Sequence, residues 1–238
     1  MSEKAKEIRE KMKTVRFAPY ILGSVLSDLD YMDDFKRFTL DAIEKEKEKI
    51  EDRFERDTKN MSEEEKERYS EWAAEDYAVV RDLFSMISLN SFIIILYSNI
   101  ESGLNRLCNV MFSDQSRLDE VQGKDPVKIR YVDMDGKGIN RAKLYLEKVF
   151  NVNLHAGDQQ WAEIDALKKI RNIIVHDDGW ASNEMAKNSN IKTCRKNGFL
   201  EIEEKRDGTL GKLIVKPEYL TWILKHVRDF FSKIDLNI

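Results

Sequence analysis

The chain has 238 residues, 35% of them charged, with a net charge of −4, only 10 glycines and 3 prolines. A chain of that length can bury a real core and fits one large or two small domains, and so little glycine and proline with so much charge points to a mainly all-α soluble protein. Residues 1–88 carry 17 Lys and Arg against 23 Asp and Glu, while residues 89–238 carry 23 against 21. Bulk charge therefore does not mark a nucleic-acid binder, and any polyanion site has to be a local patch in the second part.

The N-terminus, MSEKAKEIREKMK, is charged throughout and lacks the apolar core of a signal peptide. Residues 3–16 read as a short charged helix ended near Pro19. Residues 24–58 contain no proline or glycine. There Leu40, Ile43, Ile50 and Phe54 make one apolar stripe, which Lys47 interrupts. Lys59-Asn60-Met61 reads as a turn. Ser62 with Glu65 then forms a capping box, opening a helix to about Ser88 expected to bury Tyr69, Ala73, Tyr77, Val80, Phe84 and Ile87. Residues 1–88 are accordingly expected to form an N-terminal extension built on a long antiparallel helical hairpin. It would serve as a structural arm, a dimerisation element or a partner-binding clamp.

Residues 89–238 are expected to form a second, helical domain. The most apolar run, Leu89 to Tyr97, falls short of the roughly 20 residues that span a bilayer, so no membrane contact is expected. It reads instead as part of a core helix from Asn90 to Phe112. On that helix Ile94, Tyr97, Glu101, Leu104 and Cys108 share a face, and Glu101 is the acid on a mostly apolar stripe. Either it sits at the rim or it pairs with an arginine, Arg171 being the sharper choice. Residues 113–137 are a polar connection, with an extended piece over Ile129–Val132. The run VDMDGKG lacks the spaced ligands of a calcium loop. Cys108 and Cys194, without a CxxC, suggest neither a disulfide framework nor zinc, and they fit a reducing cytoplasm.

A short helix over Ile139–Phe150 comes next, then a loop carrying His155. Asp158 is the expected N-cap of a helix whose stripe is Trp161, Ile164, Leu167, Ile170 and Ile174, stopped by Gly179. Residues 181–197 are ambiguous and locally basic through Lys187, Lys192, Arg195 and Lys196. Residues 198–202 and 212–215 read as strands joined at Asp207-Gly208, a β-hairpin. An amphipathic helix from Glu218 to Leu236 closes the chain.

The chemistry concentrates in KKIRNIIVHDDGW, residues 168–180. Asn172 and His176 lie one turn apart on one helix face. Arg171 sits roughly 140° from His176 around the helix, at about 100° per residue, yet its long side chain can reach the same rim. Arginine holds phosphate oxygens with a permanently charged planar fork, and histidine moves protons near neutrality. That pair suits a phosphodiester whose nucleophile is the 2′-hydroxyl of RNA. A salt-bridged arginine and a helix-capping histidine would account for the same residues structurally.

Arg171-Asn172-Ile-Ile-Val-His176, with its apolar approach and following glycine, resembles the R-x4-6-H motif of the HEPN superfamily. FIIILYSNIESGLNRL resembles that family's first core helix with its acidic residue, and the C-terminal hairpin and helix resemble the tail of several of its members. The resemblance covers residues 89–238 and implies a helical bundle that dimerises, bringing two motifs into one cleft. It implies a metal-independent endoribonuclease, needing no cofactor and leaving a 2′,3′-cyclic phosphate. Such enzymes belong to toxin–antitoxin, abortive-infection or phage-defence systems, often with a nucleotidyltransferase antitoxin as partner. Carried over, Arg171 positions phosphate and stabilises the transition state, Asn172 orients groups in the cleft, and His176 is the acid/base. Glu101 supports them, and Lys168, Lys192, Arg195 and Lys196 contact RNA. Asp177 and Asp178 depart from this picture by putting negative charge beside the cleft. Some HEPN proteins keep the motif only to bind RNA, nucleotide or a partner, which is the alternative expectation here.

Overall fold

The computed structural model describes residues 16–155, 159–182, 186–204 and 210–236. The charged helix expected over residues 3–16 (apart from Arg16, which is not helical), the Asp158 cap and the Asp207-Gly208 turn lie outside them. The chain is mainly helical, as its composition indicates. Its elements are α1 (Ala18–Thr58), α2 (Glu63–Ala78), a π-helical turn (Val79–Phe84), α3 (Ser85–Gln122), α4 (Gly138–Val149), α5 (Gln159–His176), α6 (Ser189–Lys196), β1 (Leu200–Glu204), β2 (Leu210–Val215) and α7 (Pro217–Lys233). The two strands pair antiparallel, Leu200 opposite Val215 and Ile202 opposite Leu213, with an irregularity between Ile202 and Glu204.

The capping box opens α2 as its sequence demands. Ser62 Oγ accepts from the Glu65 amide at 3.4 Å, and the Ser62 amide donates to Glu65 Oε2 at 2.8 Å. The expected break near Ser88 does not occur, and Glu63–Gln122 is one helical run. Inside it the π turn inserts one extra residue, which rotates everything beyond it by about 100° relative to an unbroken α-helix. This overturns part of the expected stripe. Val80 stays buried, but Phe84 and Ile87 are exposed, and burial resumes one position later in phase at Leu89, Phe92, Ile93 and Leu96. Leu89–Tyr97 is therefore only a portion of a longer helix, and contrary to expectation that helix is long and apolar enough to cross a membrane by length and composition. The extended piece expected over Ile129–Val132 is instead a single 3-10 turn at Tyr131–Asp133.

The described residues fall into two compact units. One is drawn from Met1–Asp30, Leu96–Asp165 and Leu224–Ile238, the other from Tyr31–Ile95 and Ala166–Ile223. In the first, Leu104, Leu107, Ile139, Tyr145, Ile164, Val227 and Phe231 are among the fully buried side chains. Gly103 lets the backbones approach there, since a Cβ would stand 2.8 Å from Val25 Cγ2. The start of α1 is capped from far along the chain. The Phe17 and Ala18 amides donate to Asp114 Oδ2 at 2.7 and 3.1 Å, and Arg117 donates to Asp114 Oδ1 while lying over the Phe17 ring. Pro19, expected to stop a helix, sits in its first turn, where a missing N–H costs nothing. In the second unit the core comprises Met32, Ile50, Leu89, Phe92, Leu167, Ile170, Ile173, Leu213 and Tyr219 among others.

Two outcomes follow from the first unit. Asp114→Ala strands two amides and is expected to cost about 1–3 kcal/mol, with Asp114→Asn costing less. Urea denaturation would check this, and midpoints equal to wild type would refute it. Buried Glu163 has its carboxyl pushed above the usual range by desolvation, partly opposed by the charge of His226 and a hydrogen bond with Gln159. A carboxyl that keeps its proton to higher pH when folded penalises the folded state once pH rises past the ordinary carboxylate range, and not below it. Glu163→Gln should therefore raise the denaturation midpoint at neutral pH and give no gain in acid. An equal gain at both would exclude ionisation as the cause.

Candidate functional site

Helix α5 brings the three motif side chains together at its C-terminal end. Ile170 and Ile173 are fully buried, Ile174 is half-buried, and Val175 is exposed, which corrects the expectation that Ile174 lies in the core stripe. The opposite edge carries Arg171 and Asn172, both half-buried, and exposed His176. Arg171 Nη1 donates to Asn172 Oδ1 at 3.1 Å and lies 3.2 Å from His176 Nε2. The arginine therefore spans the angular gap that helix geometry leaves between positions 171 and 176. Arginine can only donate, so the contact requires a lone pair on His176 Nε2 and the imidazole proton on Nδ1. The result is an imidazole nitrogen and a guanidinium sharing one rim.

The turn after His176 is tightly specified. Asp178 and Gly179 both adopt left-handed backbone, φ 51° and 79°. The amides of Asp177 and Gly179 both donate to the Ile173 carbonyl, at 3.2 and 2.9 Å, closing the helix end. The Trp180 amide donates to the Asp177 carbonyl at 2.8 Å. Strand β2 then holds the turn, for the Leu213 amide donates to the Gly179 carbonyl at 2.8 Å and the Ala181 amide to the Gly211 carbonyl at 3.1 Å. Trp180 and Lys212 thereby form an isolated bridge. The β-hairpin is thus part of the apparatus that fixes the motif. The only hint of this in the sequence is that a two-stranded sheet leaves edges needing a partner. Sequence reasoning also misses Trp180, which is 39% exposed next to the motif and the Lys212 cation. An aromatic beside a cation suits contact with a nucleobase.

Lys168, half-buried, lies one turn before Arg171. Lys192 and Lys196 are exposed on successive turns of α6, and Arg195 is half-buried. Asn188 starts that helix by accepting from the Asn190 and Ile191 amides, while Ile191 and Cys194 anchor it. These four basic residues belong to the same unit as the motif. Glu101 belongs to the other unit, where its Oε1 stands 2.9 Å from the position a Cβ would take on Gly138. Within its own unit, Arg171 is held by Asn172 and His176. VDMDGKG begins on the 3-10 turn, where Asp133 Oδ2 accepts from the Arg130 amide at 2.9 Å, and runs on to Gly138 at the start of α4. Among the described residues no three His, Cys, Asp or Glu side chains cluster in a way that could hold a metal ion.

Gly179 has open space around it, with nothing within 4 Å of an added Cβ, so a substitution there tests backbone conformation alone. Gly179→Ala is expected to cost about 1–2 kcal/mol, the penalty of left-handed backbone for an L-residue, and Gly179→Asn less. Thermal unfolding would measure it, and an alanine variant as stable as wild type would show that the turn does not need glycine.

Comparison with known protein families, curated proteins and solved structures finds no match to this chain.

Proposed function

We propose that the chain is a metal-independent endoribonuclease of the HEPN type, working as a homodimer that places two motifs in one cleft. We place it in a toxin–antitoxin, abortive-infection or phage-defence setting in the cytoplasm, with an antitoxin or effector protein as a further partner. The observation that supports this best is the 3.2 Å contact of Arg171 Nη1 with His176 Nε2, with Asn172 on the same arginine nitrogen.

In this reading the RNA phosphate draws the Arg171 guanidinium onto its non-bridging oxygens, which frees the lone pair of His176 Nε2. That nitrogen takes the proton of the 2′-hydroxyl as its oxygen attacks phosphorus. Arg171 stabilises the charge that builds on the phosphoryl oxygens. Where the second copy's Arg171 has likewise turned to the phosphate, its His176 takes a proton from solvent and hands it to the leaving 5′-oxygen, and the products are a 2′,3′-cyclic phosphate and a 5′-hydroxyl. Asn172 keeps the guanidinium aimed at the rim. Lys168, Lys192, Arg195 and Lys196 supply cationic surface for the rest of the strand.

A second reading draws on the same contact. A histidine engaged by arginine is not free to act as a base, which suits a module that binds RNA, nucleotide or a partner without turnover. The readings separate by experiment. RNA incubated with wild type in EDTA is expected to be cut, with losses of about 10²–10⁴-fold in His176→Ala, the range for removal of a general acid–base group, and a large loss in Arg171→Ala. RNA left equally intact by wild type and both variants, at equal folding, would remove the catalytic reading. RNA binding retained without cleavage would favour the module.

A further inference from the structure

The second unit exposes apolar side chains in an ordered pattern. On α1, Tyr31, Phe35 and Phe38 recur at helical spacing and are all exposed. Along the π turn and α3, Val79, Leu83, Ile87 and Ile95 repeat every four or eight residues, with Phe84 beside them and exposed Ser91 completing the row. From Leu83 to Ile100 there is no charged residue at all.

The two stripes lie on one face. Phe54 stacks near Tyr69, with ring centroids 5.8 Å apart, and Phe35, Lys36, Thr39 and Leu40 line one small cavity with Ser88, Leu89 and Phe92. The helices therefore run antiparallel, side by side, with Lys36 and Phe92 at the seam. Phe35 lies one residue before Lys36, and Ser91 lies one residue before Phe92. Each stripe is thus about 100° from the seam in the same rotational sense, and in antiparallel neighbours that leads to the same side of the pair.

With about 200 Å² for a whole aromatic side chain, Tyr31, Phe35, Phe38 and Phe84 together expose on the order of 500 Å², and the four aliphatic residues raise the patch to roughly 800 Å². That exceeds the roughly 300–600 Å² of the largest apolar patch on a typical monomer, and it equals the about 800 Å² that a standard interface takes from each partner. The charges beside the patch are already neutralised locally. Asp33 pairs with Lys36 and Arg37, Asp34 with Arg37, and Arg81 with Asp82. A partner read by charge finds little here, since Lys45, Lys47 and Lys49 further along α1 are likewise paired with Asp41, Glu44 and Glu46, leaving among the described residues there no unpaired basic band of the kind by which a helix lies on an anionic membrane. An apolar, charge-balanced face is complementary to itself.

We infer that this face, Tyr31–Phe38 with Val79–Ile95, is the surface through which two copies of the chain associate. The inference takes its partner, a second copy, from the homodimer of the proposed function; glutamate variants that still dimerise would sink this face alone, and Arg171→Ala, which lies outside it, should leave association intact. Sedimentation equilibrium of the full chain at micromolar concentration is expected to give twice the 28.0 kDa chain mass. Phe38→Glu and Ile87→Glu, both at exposed positions on different helices, should each weaken association at least a hundredfold with wild-type circular dichroism, while Phe38→Leu retains it. A monomeric wild type would overturn the inference, as would glutamate variants that fold and still dimerise. Flotation of a monomeric wild type with anionic phospholipid vesicles, lost in the same variants, would overturn it in favour of a lipid surface.

Discussion

The geometry of the motif depends on one backbone constraint, the paired left-handed residues Asp178 and Gly179. They end α5 at His176 and turn the chain so that the Gly179 carbonyl and the Ala181 amide meet β2. Had the helix run on, residues 179 and 180 would flank His176 one turn later on the same face. Because the helix stops, the imidazole stands at an exposed end where Arg171 can reach it. The same stop leaves the carbonyls of the last turn pointing past the helix end, where positive charge is favoured. An arginine bonded to a histidine there is electrostatically at home, and it offsets part of the negative charge that Asp177 and Asp178 bring.

Whatever depends on neighbours in sequence is legible. The Ser62–Glu65 box, the mainly helical class, the hairpin of β1 and β2, the Gly179 stop and the nearness of Arg171, Asn172 and His176 all rest on residues within a turn of one another or on simple alternation. What is not legible depends on distant partners or on small departures from ideal period. Asp114 caps α1 from 97 residues away, and nothing near Phe17 announces it. The clip between Gly179 and Leu213 is likewise invisible without the sheet edge in place. Glu101 reads in the sequence as an acid in search of an arginine, whereas its nearest structural demand is that Gly138, at φ 56°, carry no side chain. Periodicity gives a face to a residue but not the object that fills it.

The π turn at Val79–Phe84 is the clearest case, and it ties the arm to the question of assembly. Read as an unbroken α-helix, Tyr77, Val80, Phe84 and Ile87 form one buried stripe. A single inserted residue splits that stripe, so Val80 keeps its place while Phe84 and Ile87 turn outward beside Leu83 and Ile95. Such a turn forfeits ideal hydrogen-bond geometry, and its persistence calls for something gained elsewhere. What it produces is an apolar row on the same side as Tyr31, Phe35 and Phe38. An unbroken helix would keep Phe84 and Ile87 in the earlier stripe but turn Leu89, Phe92, Ile93 and Leu96 out of the core, so the inserted residue lets one helical run serve both stretches. The consequence of that compromise is an exposed apolar row. The local defect in α-helical period and the large exposed patch are therefore one feature seen at two scales.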